Sequence, residues 1–255
     1  MGKIIAISNQ KGGVGKTTTS VNLAAGLSYF GKKVLLVDFD PQGNATTGLG
    51  VVKTKGLITI NDILFKDIDV HSGILRLERP PLHIIPASID LAGANIELVN
   101  YKMGREKFLK NRLDEIKGEY DYIFIDCPPS LGLLNTNALT ASDSVLIPIQ
   151  CEFYALEGLT QLLSTIRLVQ KLFNKNIKIE GVVLTMYDER TNLSLEVQQE
   201  VRKSFKDKVF NTTIKRNVKL AEAPGFGQSI FEYYPNSTAS EGYASLAKEL
   251  MKRRT

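Results

Sequence analysis

The stretch that decides the fold is KIIAISNQKGGVGKTTTSVNLAAGL, residues 3–27, near the start of the chain. It begins with a short apolar run, Lys3–Ser8, of the kind that forms a buried parallel strand. A glycine-rich loop, Gln10–Thr18, follows directly, and apolar residues then recur at helical spacing over Thr17–Phe30, up to Gly31. A strand, a glycine-rich loop and a helix in this order are the context of a phosphate-binding loop.

The loop has the residue types that phosphate binding requires. Glycines allow positive φ angles and a close backbone approach, so successive N–H groups can face phosphate oxygens, and the helix N-terminus adds partial positive charge. We expect Lys16 to reach the β- and γ-phosphates, the Thr17 hydroxyl to ligate Mg²⁺ and the Thr18 hydroxyl to donate to the α-phosphate. A plain linking turn would account for neither the spacing nor the flanking elements. The nucleotide-binding residues that the loop itself predicts are Gly12, Gly13, Val14, Gly15, Lys16, Thr17 and Thr18.

Carboxylates follow two other apolar runs. Asp38 ends the run Lys33–Asp38, and Asp40 comes two residues later. Asp126 ends the run Asp121–Asp126. The carboxyl ends of parallel strands meet at one edge of a sheet, so we expect these acids to face the same crevice as the loop. Mg²⁺ prefers oxygen ligands and retains waters, so Asp126 is predicted to hold it together with the first loop threonine. Either of the first two acids, taken singly, is equally typical of a turn at a strand end.

The rest of the chain alternates strand-like and helix-like segments. Near-continuous apolar runs predict further strands over Lys33–Asp38, Leu82–Pro86, Asp121–Asp126, Ser144–Ile149 and Gly181–Met186. Helical spacing predicts helices over Ser88–Val99, Arg105–Ile116, Asn135–Ala141, Ala155–Phe173, Leu193–Phe205 and Ser237–Met251. This alternation predicts an α/β fold with a doubly wound, mostly parallel sheet flanked by helices. We find no repeat, linker or composition break, so residues 1–255 are expected to form a single domain.

Composition excludes several classes of protein. No apolar run approaches the roughly 18 residues of a transmembrane helix, and the apolar start of the chain is too short for a signal peptide. Two cysteines, Cys127 and Cys151, cannot build a disulfide framework, so we expect a cytoplasmic protein in which both are small buried residues. His71 and His83 stand apart from any metal-binding pattern.

The loop departs from the general pattern GxxxxGK[ST], because Gln10 stands where that pattern has glycine and a second lysine, Lys11, precedes Lys16 by five residues. In these features it resembles the ParA/MinD family of ATPases, whose phosphate loop is a deviant Walker A motif. The stretches LGLLNTNALTASD (131–143), QCEFYALEG (150–158) and AEAP (221–224) resemble the chromosome-partitioning ParA/Soj branch. The resemblance covers essentially the whole chain. Without it, the second lysine would be read more readily as a solvated loop charge.

This resemblance implies a Mg-dependent ATP hydrolase that dimerises face to face on ATP, with slow intrinsic turnover. It implies that Lys11 reaches the nucleotide of the partner subunit, that Asp40 orients the attacking water and that Asp38 supports the metal shell. Met186 and Arg216 are expected to line the adenine, although a core methionine and a surface arginine are equally consistent with the residues alone. The branch usually has proline where Lys215 stands. The predicted catalytic residues are Lys11, Lys16 and Asp40, and the predicted metal-site residues are Thr17, Asp38 and Asp126.

Positive charge is concentrated in one segment, Arg190–Lys219, which we call the basic segment. It holds eight basic and three acidic residues, an excess as large as the +5 of the whole chain. Concentrated positive charge attracts polyanions. The resemblance implies non-specific binding of double-stranded DNA by the ATP dimer, association with the nucleoid, and a ParB/Spo0J-type partner that stimulates hydrolysis during chromosome or plasmid partitioning. The predicted DNA contacts are Arg190, Lys203, Lys206 and Lys219; any one of these lysines is equally typical of a solvated surface.

The main alternative is a MinD-like regulator that lies on a membrane. MinD proteins use a C-terminal amphipathic helix for this purpose, and the last predicted helix, Ser237–Arg254, carries an apolar stripe and ends in three basic residues. The stripe is no larger than that of an ordinary core-packing helix, so no membrane partner is expected. A nucleotide-binding scaffold without turnover is disfavoured by Asp40.

Overall fold

The computed structural model describes residues 2–130, 132–152 and 157–253. Within these residues one seven-stranded sheet has the order β3-β4-β2-β5-β1-β6-β7. Every pairing is parallel except that of β3 with β4, which is antiparallel. The strands are β1 (Lys3–Ile7), β2 (Val34–Asp38), β3 (Leu75–Arg76), β4 (His83–Ile85), β5 (Tyr122–Asp126), β6 (Ser144–Gln150) and β7 (Lys178–Thr185).

Helices cover both faces of this sheet, so the predicted doubly wound α/β fold is confirmed. One face is packed by α1, α2, α10 and α11, and the other by α3 to α8. The helices are α1 (Lys16–Tyr29), α2 (Asn44–Gly48), α3 (Ile60–Phe65), α4 (Ala94–Asn100), α5 (Phe108–Ile116), α6 (Leu133–Ala141), α7 (Glu157–Leu172), α8 (Asn192–Phe205), α9 (Lys219–Glu222), α10 (Ile230–Tyr233) and α11 (Thr238–Arg253).

The central strands explain why apolar runs were a reliable signal. All five residues of β2 and all five of β5 are buried, because helices exclude water from both faces of these strands. The edge strand β3 has only two residues, one exposed and one half-buried, and no pattern in the sequence predicts it.

Two helices begin later in the chain than the spacing of their apolar residues predicts. The segment predicted as a helix over Ser88–Val99 starts as a 3₁₀ turn, Ile89–Gly93, and becomes α-helical only from Ala94. The helix predicted from Arg105 begins at Phe108. A turn precedes it, in which the Lys107 N–H donates to the carbonyl of Gly104, a glycine at φ 77°. The first two residues of the helix predicted over Ala155–Phe173 lie outside the described residues.

The strand register brings the predicted site together. Asp126, the last residue of β5, lies beside Ile7 of β1 on one side and beside Asp38 of β2 on the other. The loop that follows β1 therefore leaves the sheet at the same edge as both carboxylates. This is the carboxyl edge, where open α/β sheets bind ligands.

Candidate functional site

The backbone of the phosphate loop depends on glycine at two positions. Gly13 and Gly15 have φ angles of 78° and 85°, which residues with a Cβ atom rarely adopt. Gly15 is also the residue that precedes the first turn of α1, so the left-handed conformation turns the chain from loop into helix. The first N–H groups of α1 consequently face the loop, as anion binding requires.

Neighbouring strands hold the loop in place. The Asn9 side chain donates to the carbonyl of Pro148 in β6 at 2.7 Å and accepts from the Lys11 N–H at 3.1 Å. The Thr185 hydroxyl at the end of β7 donates to the carbonyl of Val14 at 2.8 Å. Both anchors come from distant parts of the sequence, and sequence patterns gave no signal for either of them.

Lys16 lies inside the loop. Its residue is only 7% exposed, and its Nζ donates to the carbonyl of Lys11 at 3.0 Å, across the loop. Burial lowers the pKa of Lys16, and the nearby Asp126, Cys127 and Asp40 oppose that shift. The ammonium group is therefore poorly solvated and held where an anion in the loop would neutralise it.

Asp38 is fully buried, and its carboxylate oxygens have different partners. Oδ2 accepts from both the backbone N–H and the hydroxyl of Thr46, each at 2.7 Å. Oδ1 accepts one longer bond, 3.3 Å, from the Asp40 N–H. Burial raises the pKa of Asp38. The hydrogen bonds from Thr46 lower that pKa, whereas repulsion by Asp40 raises it further.

The carboxylate of Asp126 indicates that this site can bind a metal ion. It is fully buried, its Oδ1 accepts from the Ser20 hydroxyl at 2.8 Å, and its Oδ2 has no hydrogen-bond partner among the described residues. Burial, followed by repulsion from Asp38, raises the pKa of Asp126. An unpaired buried carboxylate oxygen is costly, and a cation relieves that cost. Its oxygen chemistry suits Mg²⁺.

The protein alone supplies few metal ligands. Among the described residues no group of three or more His, Cys, Asp or Glu side chains is arranged to hold a metal ion. Mg²⁺ takes one or two protein carboxylates and completes its shell with phosphate oxygens and water.

Asp40 lies between β2 and α2. It is 6% exposed, its Oδ1 accepts from the Gln42 N–H at 3.0 Å, and its carbonyl accepts from the Gly43 N–H at 2.8 Å. Asp40 thus shapes the turn into α2, as a strand-end acid does, and it also lies close enough to Lys16 to affect the pKa of that lysine. The turn role and the predicted water-orienting role are compatible.

Lys11 is at the rim of the loop, and its ammonium group forms an ion pair with Glu152, which follows β6. Both side chains are about one third exposed. The second lysine is therefore paired, at the surface of the loop, with a carboxylate of its own chain. Glu152 was not among the predicted site residues, because it is 141 positions away from Lys11 in the sequence.

A cavity of about 310 Å³ opens beside the first turn of α1. It is lined by Gly15 and Thr18 of the loop region together with Met186 and Arg216, so the structure brings both predicted adenine contacts to the loop. Met186 has a φ angle of 50°, an uncommon value for a residue other than glycine. A parallel bridge between residues 187 and 215 ties the two walls together.

A second cavity, of about 280 Å³, lies where α1, α2 and the segment after α9 meet. Thr17 and Thr18 line it together with Asn44 and Gln228, two polar residues that no sequence pattern marks as part of a site. Thr17 therefore lies near α2, at the same edge of the sheet. That helix carries Thr46, whose hydroxyl donates to Asp38.

The four predicted DNA-contacting residues lie on separate elements and at the surface. Arg190 precedes α8 and forms two bonds to Asp188, at 2.9 and 2.7 Å. Lys219 begins α9 and pairs with Glu222 at 2.8 Å. Lys203 is on α8, 4.0 Å from Glu200, and Lys206 follows that helix. The structure does not join these cations into one cluster by direct contact.

The remaining side chains weighed in the sequence take structural roles. Cys127 and Cys151 are buried free thiols, as predicted. The apolar stripe of α11, including Tyr243, Leu246 and Leu250, is buried against the α1 side of the sheet. No helix within the described parts of the chain has the length and apolar character needed to cross a bilayer.

Comparison with known proteins extends these findings. A family model described as an AAA domain matches residues 2–179. The chain is 61% identical over 250 residues to the sporulation initiation inhibitor protein Soj of Bacillus subtilis, covering 98% of each chain. It is 50% identical over 253 residues to the chromosome-partitioning ATPase Soj of Treponema pallidum, covering 99% of this chain and 98% of that protein.

A solved structure supports the ligands that the loop predicts. Cobyrinic acid a,c-diamide synthase from Mycobacterium smegmatis, with a bound ATP analogue and magnesium, superposes with a TM-score of 0.89 at 36% identity, covering 100% of this chain and 96% of that one. The prediction of ATP and Mg²⁺ as cofactors is confirmed by this likeness. The phosphate loop with its second lysine and the 61% and 50% identity to Soj proteins over nearly the whole chain confirm the resemblance. The chain belongs to the ParA/Soj family of chromosome-partitioning ATPases.

Proposed function

We propose that this protein is a Mg-dependent ATPase that closes into a face-to-face dimer on ATP, binds DNA without sequence preference as that dimer, and drives the partitioning of DNA together with a ParB-type partner. Residues 1–255 act as one ATPase domain in this scheme. The observation that carries the proposal is the buried carboxylate of Asp126, with one oxygen unpartnered, at the same sheet edge as the phosphate loop.

Each residue of the site has its own role in the transfer of the γ-phosphoryl group to water. Lys16 and the loop N–H groups bind the β- and γ-phosphates, and Thr17, Asp126 and, more indirectly, Asp38 hold Mg²⁺, which when bound neutralises charge on the phosphate oxygens. Asp40 accepts a hydrogen bond from the attacking water and aligns it. Arg216 and Met186 enclose the adenine in the cavity beside α1.

Lys11 completes the site of the partner subunit. In the single chain its ammonium group is paired with Glu152, so it must exchange that carboxylate for the partner's triphosphate when the dimer forms. A positive charge supplied in trans stabilises the transition state in the way an arginine finger does. Turnover is slow in the monomer because this charge is absent from its own site.

The basic segment is the proposed DNA surface, and its cations act as phosphate contacts. Arg190 and Lys219 carry carboxylate partners of the same chain, which DNA phosphates replace or join on binding. Such contacts give sequence-independent affinity that falls with salt. If DNA prefers the dimer, DNA also promotes ATP-dependent dimerisation by the same factor, because coupling between two ligands is reciprocal.

Co-sedimentation of the purified protein with DNA and with anionic liposomes tests this function. With ATP, we expect the protein to pellet with DNA at low salt, less at high salt, and not with ADP or without nucleotide. Pelleting with liposomes but not with DNA would instead support the membrane-bound alternative, which the burial of the α11 stripe disfavours. Binding to DNA that is indifferent to nucleotide would contradict the proposal.

A further inference from the structure

Thr46 makes the closest contacts to the Asp38 carboxylate. Its N–H and its hydroxyl both donate to Oδ2 at 2.7 Å, and both residues are fully buried. Hydrogen bonds to a buried charged acceptor are about twice as strong as neutral ones, so this pair fixes the rotation of the carboxylate. Only Oδ1, with its single 3.3 Å bond, is left for other partners.

The same hydroxyl also acts as an acceptor. The Ala87 N–H, two residues after β4, donates to Thr46 Oγ1 at 2.9 Å. One side chain thus links three segments at the carboxyl edge of the sheet: the end of β2, helix α2 and the chain after β4. Serine could make both contacts, whereas valine, which has nearly the same shape, could make neither.

Thr46 is also close along the chain to the predicted water-orienting residue, Asp40, six positions before it. The turn that places Asp40 closes through the Gly43 N–H, and α2 begins directly afterwards, at Asn44. Thr46 is in the first turn of that helix. A displacement of Thr46 would therefore move the turn of Asp40 and release the Asp38 carboxylate together.

We propose that Thr46 is a positioning residue of the magnesium site: it holds Asp38 Oδ2, so that Oδ1, on the strand beside that of Asp126, would remain available to the hydration shell of Mg²⁺. The inference rests on the proposed ATPase function and deepens it. Groups that orient the carboxylates of a metal site commonly change metal affinity about 10- to 100-fold when they are removed.

The test is the Mg²⁺ concentration that half-saturates binding of a fluorescent ATP analogue, a readout independent of turnover. We expect Thr46→Val to raise that concentration at least about tenfold, and Thr46→Ser to restore it to near the wild-type value. Thr47→Val is the matched control, because Thr47 is on the same short helix but, among the described residues, its hydroxyl donates to the carbonyl of Gly43 and to no carboxylate of the site.

A double-mutant comparison separates positioning from a general structural role. If Thr46 acts through Asp38, Thr46→Val will raise the Mg²⁺ requirement no further in an Asp38→Asn background. An unchanged requirement in folded Thr46→Val, an equal rise in Thr47→Val, or an undiminished rise in the Asp38→Asn background would each overturn the inference. Thr46→Ala carries the same test if the valine variant does not fold. Wild-type protein that binds no ATP would overturn the proposed function itself.

Discussion

The phosphate-loop edge and the basic segment hold their charges in opposite ways. At the loop edge Lys16, Asp38 and Asp126 are buried, and burial is the largest cause of each pKa shift. In the basic segment Arg190 is exposed and Lys219 is half-buried, and each is paired with a carboxylate two or three residues away in the sequence.

This difference in burial matches the function proposed for each region. Buried charges at fixed positions suit a reaction that needs precise placement, and the loss of any one of them leaves the others unbalanced. Exposed pairs contribute little individually, and solvent and salt screen them. We therefore expect single substitutions to have large effects at the loop edge and small, additive effects in the basic segment.

The largest effect is expected for hydrolysis when Asp40 is changed. Asp40→Ala should bind ATP and dimerise, yet hydrolyse it about 100- to 10,000-fold more slowly, because the attacking water loses its orienting partner. Phosphate release measures this. Asp40→Asn keeps an acceptor for the Gln42 N–H and is the control for the turn. Normal turnover by Asp40→Ala would remove Asp40 from the catalytic site.

The next effect concerns nucleotide binding. Lys16→Ala should weaken ATP binding about 100-fold, because a charged donor in a buried phosphate site is worth up to about 3 kcal/mol. Equilibrium binding of a fluorescent ATP analogue checks this, and Lys55→Ala, which removes one exposed lysine, is the control for net charge. Equal affinities of the two variants would show that Lys16 does not contact the nucleotide.

The two regions should also differ in how their acids couple stability to pH. The pKa of Asp126 is raised by burial, so without ligand the folded chain binds more protons there than the unfolded chain, and this contribution to stability is lost as pH rises toward neutrality. Asp126→Asn should therefore gain stability relative to the wild type as pH rises from about 4, the ordinary Asp pKa, to about 7, the raised pKa of Asp126 in the folded chain.

Asp188, which lies just before the basic segment and pairs with Arg190, should change stability with pH in the opposite direction. Hydrogen bonds from Arg190 lower the pKa of Asp188 to about 2, so its contribution is present above the unfolded pKa and is lost as pH falls through the folded value. Asp188→Asn should converge on the wild type in acid. Urea unfolding at several pH values measures both differences, and parallel pH profiles of the two variants would contradict this contrast between the regions.

The smallest single effect is expected in the basic segment. Arg190→Ala should leave dimerisation intact and weaken DNA binding only a few-fold at fixed salt, lowering the salt slope by about one phosphate contact. Asp188 already neutralises part of the Arg190 charge, which limits the loss. Arg167→Ala, an exposed arginine outside the segment, is the control. Unchanged affinity at matched salt would exclude Arg190 from the DNA surface.

The sequence predicted most of what depends on local pattern. Each of the six apolar runs is a strand, and the loop and Asp126 lie where their positions indicated. Short elements such as α2 and β3 were not predicted, because two to five residues are too few to show a period.

Contacts between distant segments could not be predicted either. Ser20 holds the Asp126 carboxylate across 106 positions of sequence, and Thr46 reaches Ala87 across 41. These pairs form because the parallel sheet brings the ends of its strands, and the helices that follow them, to one edge, so a single sequence carries no periodic signal of them. The roles of Lys11 and Asp40 likewise followed from family resemblance and remain predictions.

The central claim is that two copies close over ATP and that each lends Lys11 to the other. Light scattering of Asp40→Ala protein in saturating Mg-ATP tests it most directly. This variant is expected to hydrolyse ATP very slowly, so the ATP-bound dimer does not dissociate during the measurement. We expect twice the monomer mass for Asp40→Ala and the monomer mass once Lys11→Ala is added. A persistent monomer, or a dimer unaffected by the loss of Lys11, would contradict the account.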